Sequence, residues 1–151
     1  MGYYINIINH YVLIPNDQKD AALTTLKAMA ENTDQMGGGG HTIGSPEVVK
    51  QWFSWVDMNQ LADADTLIKA FDAWRYTFSE NDDGTAIVLD YFDGEKLGDD
   101  AFLWETMAPF IKNGGFLEVH GEEGEFWRWK FNDGNFREVE LQLTEVPYQR
   151  V

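Results

Sequence analysis

Cysteine is absent from this chain. That removes disulfides, thiol nucleophiles and cysteine-based metal sites together. It suits a reducing cytoplasm. Histidine is scarce: His10, His41 and His120 are scattered with no pair at ligand spacing, so no metal and no cofactor is expected. Basic residues are few, 11 against 26 acidic ones. Binding a phosphate backbone needs Lys and Arg to displace counterions, so direct nucleic-acid binding is not expected. Long apolar runs are missing, and no segment reads as a bilayer span. The segment Met1-Gly2-Tyr3-Tyr4-Ile5-Asn6 lacks the basic and apolar regions of a signal peptide. Asn6 also stands where a myristoylation signal needs Ser or Thr. These absences predict a cytoplasmic protein with no membrane contact.

What the chain does have is aromatic mass and negative charge. Hydrophobic residues make up 44% and aromatics 15% of 151 residues, which is enough for one well-filled domain rather than a disordered tail. The formal net charge is −15. Thirteen carboxylates lie between Glu80 and Glu125 against only Lys96 and Lys112, so this third of the chain carries −11. A folded, concentrated negative surface repels nucleic acid and attracts basic partners.

Tyr3 to Ile14 is β-branched and aromatic and predicts a strand that Pro15 stops. Asn16 or Asp17 can cap a helix with Ala22, Leu23, Leu26, Met29 and Ala30 on one face. Residues 32–44 form a Gly-rich loop containing Gly37 to Gly40. Ser45-Pro46-Glu47 is a helix start; a short helical turn and then a strand near Gln51 to Val56 are expected. Asp63 to Trp74 predicts a helix capped by Asp63 or Asp65, with Leu67, Ile68, Phe71 and Trp74 buried. Arg75 to Ser79 and Thr85 to Phe92 predict a hairpin through Asn81-Asp82-Asp83-Gly84. Asp93 to Gly98 is a turn-rich link, and Asp99 caps a third helix with Phe102, Leu103, Met107 and Phe110 inward. Helix followed by hairpin occurs at Asp63 to Phe92 and again at Asp99 to Phe131, without a residue-level repeat.

The last third predicts a three-stranded meander: Phe116 to His120, Phe126 to Phe131 and Phe136 to Leu143. Leu117, Val119, Trp127, Trp129, Phe131, Val139, Leu141 and Leu143 share one face. Glu118, His120, Arg128, Lys130, Glu138 and Glu140 share the other. A three-residue loop at Glu122-Glu123-Gly124 sets Arg128 opposite Glu118. A three-residue loop at Asp133-Gly134-Asn135 sets Arg128 opposite Glu140 and Lys130 opposite Glu138. A two-residue Asp133-Gly134 turn would flip one strand. Residues 144–151 form a tail.

No catalytic motif stands out. Ser79 through Asp90 partly matches a calcium loop, but its first and last positions are wrong and its flanks read as strands. Gly37 to Gly40 lacks the Lys of a phosphate-binding loop. Trp127-Arg128-Trp129 could stack bases or sugars, yet the alternation turns both Trp inward. Trp52 and Trp55 are candidate interface anchors if exposed.

The strings Phe92-Asp93-Gly94-Glu95-Lys96-Leu97-Gly98-Asp99, Ala108-Pro109-Phe110, Gly121-Glu122-Glu123-Gly124-Glu125 and Trp127-Arg128-Trp129 resemble a group of small proteins from bacteria and their phages with no assigned activity. The likeness runs from about Phe53 to Leu143, with the Gly2-Tyr3-Tyr4-Ile5 start. It implies one α+β domain and transfers no catalytic residue. It also suggests an accessory or phage setting, in which small acidic inhibitors of host proteins are common.

The expected fold is a single α+β domain, residues 1–151, with antiparallel sheet covered by two or three helices. The expected function is a non-enzymatic acidic module that binds a basic protein, such as a nucleic-acid-binding one whose groove the carboxylates enter as phosphate mimics. Asp82, Asp83, Asp93, Glu95, Asp99, Asp100, Glu122 and Glu123 are the candidate contacts, because turns and helix starts expose them. Two alternatives stand beside it: a small-molecule binder or enzyme with a pocket near residues 37–41, and a domain whose charge serves solubility only.

Overall fold

A computed structural model of the protein describes residues 3–31, 38–41, 48–51 and 56–148, with only the backbone given for the second and third stretches. Among the described residues, four α-helices and ten strands form an α+β domain. The strands are β1 Tyr3–Tyr11, β2 Leu13–Pro15, β3 Gly38–His41, β4 Val48–Gln51, β5 Tyr76–Glu80, β6 Ala86–Phe92, β7 Lys96–Leu97, β8 Gly115–Gly121, β9 Phe126–Asn132 and β10 Asn135–Leu141. The helices are α1 Lys19–Ala28, α2 Met58–Asp63, α3 Leu67–Ala73 and α4 Asp100–Met107.

Five strands make a curled antiparallel sheet in the order β10-β9-β8-β1-β7, and three make a second sheet, β2-β6-β5. The long first strand expected to Ile14 is split at Val12. There the chain passes from one sheet to the other, and Val12 carbonyl accepts from Leu89 N–H at 2.9 Å. The core lies between the sheets and α1, α3 and α4. Trp104 of α4 ties it together: its ring meets Tyr76 at 4.9 Å, Phe71 at 5.7 Å and Phe131 at 5.8 Å between centroids. One helix side chain thus packs on both sheets.

The β5–β6 hairpin and the first-helix stripe stand as expected, with Ala22, Leu26 and Met29 buried. Four local expectations need correction. Part of the Gly-rich loop is a strand: β3 pairs with β4 from Gly38–Gln51 to His41–Val48. Its glycines still offer backbone donors and acceptors, and Val48-Val49 supplies the β-forming side of the pair. A strand lies at Val48–Gln51, where a helical turn was expected; most of the strand expected near Gln51 to Val56 falls on residues 52–55, outside the described residues. Ser45-Pro46-Glu47, Gly37, Trp52 and Trp55 lie outside the described residues. The helix expected from Asp63 starts later, at Leu67 (α3), and a separate helix, α2, precedes it and ends at Asp63. Asp57 Oδ1 accepts from Gln60 N–H at 3.0 Å and caps α2, and Thr66, not Asp63 or Asp65, caps α3 through Lys69 N–H at 3.2 Å. The link after Asp93 contains the short strand β7.

In the meander, Glu118 stands opposite Arg128 as expected. The last strand does not follow the expected register. Asn135 pairs with Asn132, so the turn is the two residues Asp133 and Gly134, with φ of 53° and 77°. Positive φ at both positions suits the right-handed twist of a hairpin and is the usual Asp-Gly geometry. Arg128 consequently faces Val139, Lys130 faces Arg137, and Trp129 faces Glu138. Phe136, Glu138 and Glu140 take the inner face, where Trp129 Nε1 donates to Glu138 at 2.8 Å. Val139 and Leu141 move to the outer face. Leu143 lies beyond the strand and is 84% exposed.

Candidate functional site

β1 starts between two acidic segments. Tyr3 and Tyr4 pair with Leu97 and Lys96 on one side, and Ile5 pairs with Gly121 on the other. Ile5 N–H donates to Glu95 carbonyl, and Glu122 N–H donates to Tyr4 carbonyl, both at 3.0 Å. Adjacent strands lie about 4.8 Å apart, so the Glu95 and Glu122 backbones stand roughly 10 Å apart across β1. Glu122 also accepts from Tyr4 N–H through its side chain at 3.2 Å. Tyr3 hydroxyl donates to Glu125 and accepts from Glu123 N–H. Desolvation and the Glu125 bond hold the Tyr3 phenol above its ordinary pKa. Gly121 makes this packing possible, since a Cβ there would lie 2.4 Å from the Tyr3 hydroxyl oxygen.

The turn after α3 adds two more acids. Arg75 has φ of 66° and ends the helix in the left-handed conformation. Its N–H donates to Asp72 carbonyl at 2.9 Å, and its carbonyl accepts from Asp93 N–H at 2.7 Å. Asp57 N–H donates to Ala73 carbonyl at 3.1 Å. Asp57, Asp72, Arg75 and Asp93 are thereby held around one turn. Two clefts meet there. One, of about 290 Å³, is lined by Arg75, Asp93, Glu95 and Lys96. The other, of about 260 Å³, adds Asp57, Gln60, Asp72 and Thr77 and shares Arg75 and Asp93. Partial burial, and then the Asp93 charge, push the Asp72 pKa up.

This end of the molecule gathers seven exposed carboxylates: Asp57, Asp72, Asp93, Glu95, Glu122, Glu123 and Glu125. Against them stand Arg75 and Lys96, leaving a formal charge of −5. Lys96 Nζ lies 5.0 Å from the Tyr4 ring centroid, a cation–π contact. Among the described residues no three His, Asp or Glu side chains are placed to hold a metal ion. The arrangement can therefore act through its field: spaced carboxylates at the mouth of two polar clefts raise the local concentration of cations and cationic side chains.

The eight candidate acids do not stay together. Asp93, Glu95, Glu122 and Glu123 belong to this end. Asp82 and Asp83 sit at the opposite end of the β5–β6 hairpin, a full strand length away, or about 20 Å. Asp83 is engaged locally, accepting from Thr85 hydroxyl at 2.6 Å and Thr85 N–H at 3.2 Å, which lowers its pKa. Asp99 is only half-exposed at the head of α4, where its side chain makes no capping bond. Asp100 requires a correction: it is 0% exposed. Its carboxylate accepts from Tyr76 hydroxyl at 2.7 Å and from Gly98 N–H at 2.9 Å. Burial first, and then the Asp100 charge, raise the Tyr76 pKa well above its ordinary value. A carboxylate satisfied in this way inside the core is structural and unavailable to a partner.

Sequence reasoning missed Asp57 and Asp72. Asp57 carries a readable signal, since Asp57 and Gln60 have the spacing of a helix cap. Asp72 carries none, because only the fold brings it beside Asp93. No helix among the described residues is long and apolar enough to cross a membrane. Comparison with protein-family models, with curated proteins and with solved structures gave no match.

Proposed function

We propose that the protein is a non-enzymatic binding module of the cytoplasm that docks a basic protein surface on the acidic end around the start of β1. The observation that supports this most is the convergence of acids from four separate segments on one end of the fold. Asp57, Asp72, Asp93 to Glu95 and Glu122 to Glu125 come from helix cap, helix end, link and hairpin turn. A nucleic-acid-binding protein is the partner class that fits, because its Lys- and Arg-lined groove is built to receive spaced anionic groups. Such docking is steered electrostatically and weakens as salt rises.

The test uses a panel of purified basic DNA-binding proteins, with poly-L-lysine as a charge-only control. Asp93, Glu95, Glu122 and Glu123 are changed together to Lys. Binding to a panel member should fall by at least about tenfold, with a shallower salt dependence. The Asp82→Lys/Asp83→Lys protein should bind nearly as the parent does. Binding that survives the fourfold reversal and ignores salt overturns the reading.

A second reading has one observation behind it. A carboxylate of raised pKa in a cleft, Asp72 beside Asp93, is also what a small polar ligand or a reaction would use. Binding or turnover of a small molecule that Asp72→Asn abolishes, with basic-protein docking unchanged, would favour it.

A further inference from the structure

The outer face of β9 and β10 has the opposite character from the acidic end. In the observed register Lys130 stands directly opposite Arg137, and Asn132 directly opposite Asn135. Directly opposed side chains have Cβ atoms about 5 Å apart, and like charges in that position repel. Twenty-six acidic residues are available in this chain. Yet neither Lys130 nor Arg137 makes an ion pair among the described residues. The nearest carboxylate on the same face, Glu118, is already engaged by Arg128 at 2.9 Å. Asp133, in the turn, is directed to Asn113, accepting at 3.2 Å.

These four side chains enclose a small cleft of about 120 Å³. Its donors are only partly engaged by the protein. Asn132 Oδ1 accepts from Gly114 N–H at 3.2 Å, and its amide NH2 has no hydrogen-bond partner among the described residues. Asn135 bonds Asp133 carbonyl with one N–H and keeps the second. Arg137 offers a planar fork and Lys130 a point charge, the usual division of labour around a phosphoryl group.

We propose that Lys130, Asn132, Asn135 and Arg137 form a binding site for a phosphate dianion, free or as a monoester. Two cations match the charge of such a group at neutral pH, and the two amides add uncharged donors. A bound dianion turns the Lys130–Arg137 repulsion into a shared attraction. The strand register, rather than a motif, creates the site.

The test is thermal unfolding and amide NMR of the whole protein at fixed ionic strength, with chloride replaced stepwise by inorganic phosphate. Phosphate at ten times its Kd should raise Tm by about 3 °C and shift the Asn132 and Asn135 side-chain amide signals. Lys130→Gln should raise Tm in phosphate-free buffer, by removing the repulsion, and should abolish the phosphate-dependent rise. Arg137→Gln should behave in the same way. O-phosphoserine binding more tightly than inorganic phosphate assigns a monoester; equal binding assigns the free ion. No rise beyond that of chloride, or an equal rise with acetate, overturns the proposal. A phosphate response that persists in both variants also overturns it.

Discussion

The β5–β6 turn and the end of the molecule around β1 are both acidic, and they differ in what their carboxylates do. In the turn, Asp83 serves its own loop through Thr85. Asn81 caps the same loop, and Asn16 Nδ2 closes it by donating to Gly84 carbonyl at 2.6 Å. Around β1, acids distant in sequence are brought to one end of the fold, and all seven stay exposed even though Asp57, Glu122 and Glu125 also accept local hydrogen bonds. Density along the chain marks the first region as clearly as the second. The pairing of β1 with β7 and β8, together with the Arg75 turn, distinguishes them. A run of acids shows where a turn is; a field needs several runs brought together.

The largest expected effect tests whether the link Asp93 to Asp100 divides its acids between surface and core. Asp100→Ala leaves Tyr76 hydroxyl and Gly98 N–H without their acceptor and should cost about 2–4 kcal/mol in chemical denaturation. Asp93→Ala and Glu95→Ala should leave stability nearly unchanged. An equal loss from all three would erase the division. Next comes Asp57, which helps to build the acidic end by capping α2. Asp57→Ala should cost about 1 kcal/mol, whereas Asp82→Ala, in a turn held by other side chains, should cost little. Equal costs would mean that the two regions are built alike. The smallest effect belongs to Asp72. Its folded pKa is raised, so its charged form is disfavoured in the fold, and the penalty is present above the folded pKa. Asp72→Asn should therefore raise Tm slightly at pH 7. Below the unfolded pKa both forms are neutral and the difference should vanish. A Tm gain that persists at pH 3 would show that the penalty of ionising Asp72, from desolvation first and then the Asp93 charge, is not its cause.

Much of the fold could be read from residue pattern alone, and the exceptions have physical reasons. The β5–β6 hairpin and the Glu118–Arg128 register follow from alternation and turn chemistry. The β10 register does not, because its pattern is mixed in either frame. Phe136 lies with Glu138 and Glu140 on one face, and Arg137 lies with Val139 and Leu141 on the other. Phe136 decides the matter by packing on Phe131 and Trp129, with centroids 6.0 and 6.4 Å away. Trp129 Nε1 then gives the inward Glu138 a partner. Burial of Asp100 was hidden for another reason: its partner Tyr76 lies on a separate strand, and a helix-start Asp reads as exposed by default. At the acidic end, the members of single turns were legible, while Asp72 beside Asp93 was not. Their proximity depends on the left-handed Arg75, a residue that gives no hint of that backbone.

The position of β1 also bears on the order of assembly. It lies inside the five-stranded sheet, yet both of its neighbours, β7 and β8, come from the second half of the chain. During synthesis the first strand emerges long before anything that can pair with it. Closing so long a loop is entropically slow, and unpaired strand edges invite wrong contacts in the meantime. The acidic end is incomplete until β8 has docked, since Glu122 and Glu95 are held on either side of β1. Any partner that recognises this end therefore recognises a chain whose fold is already finished.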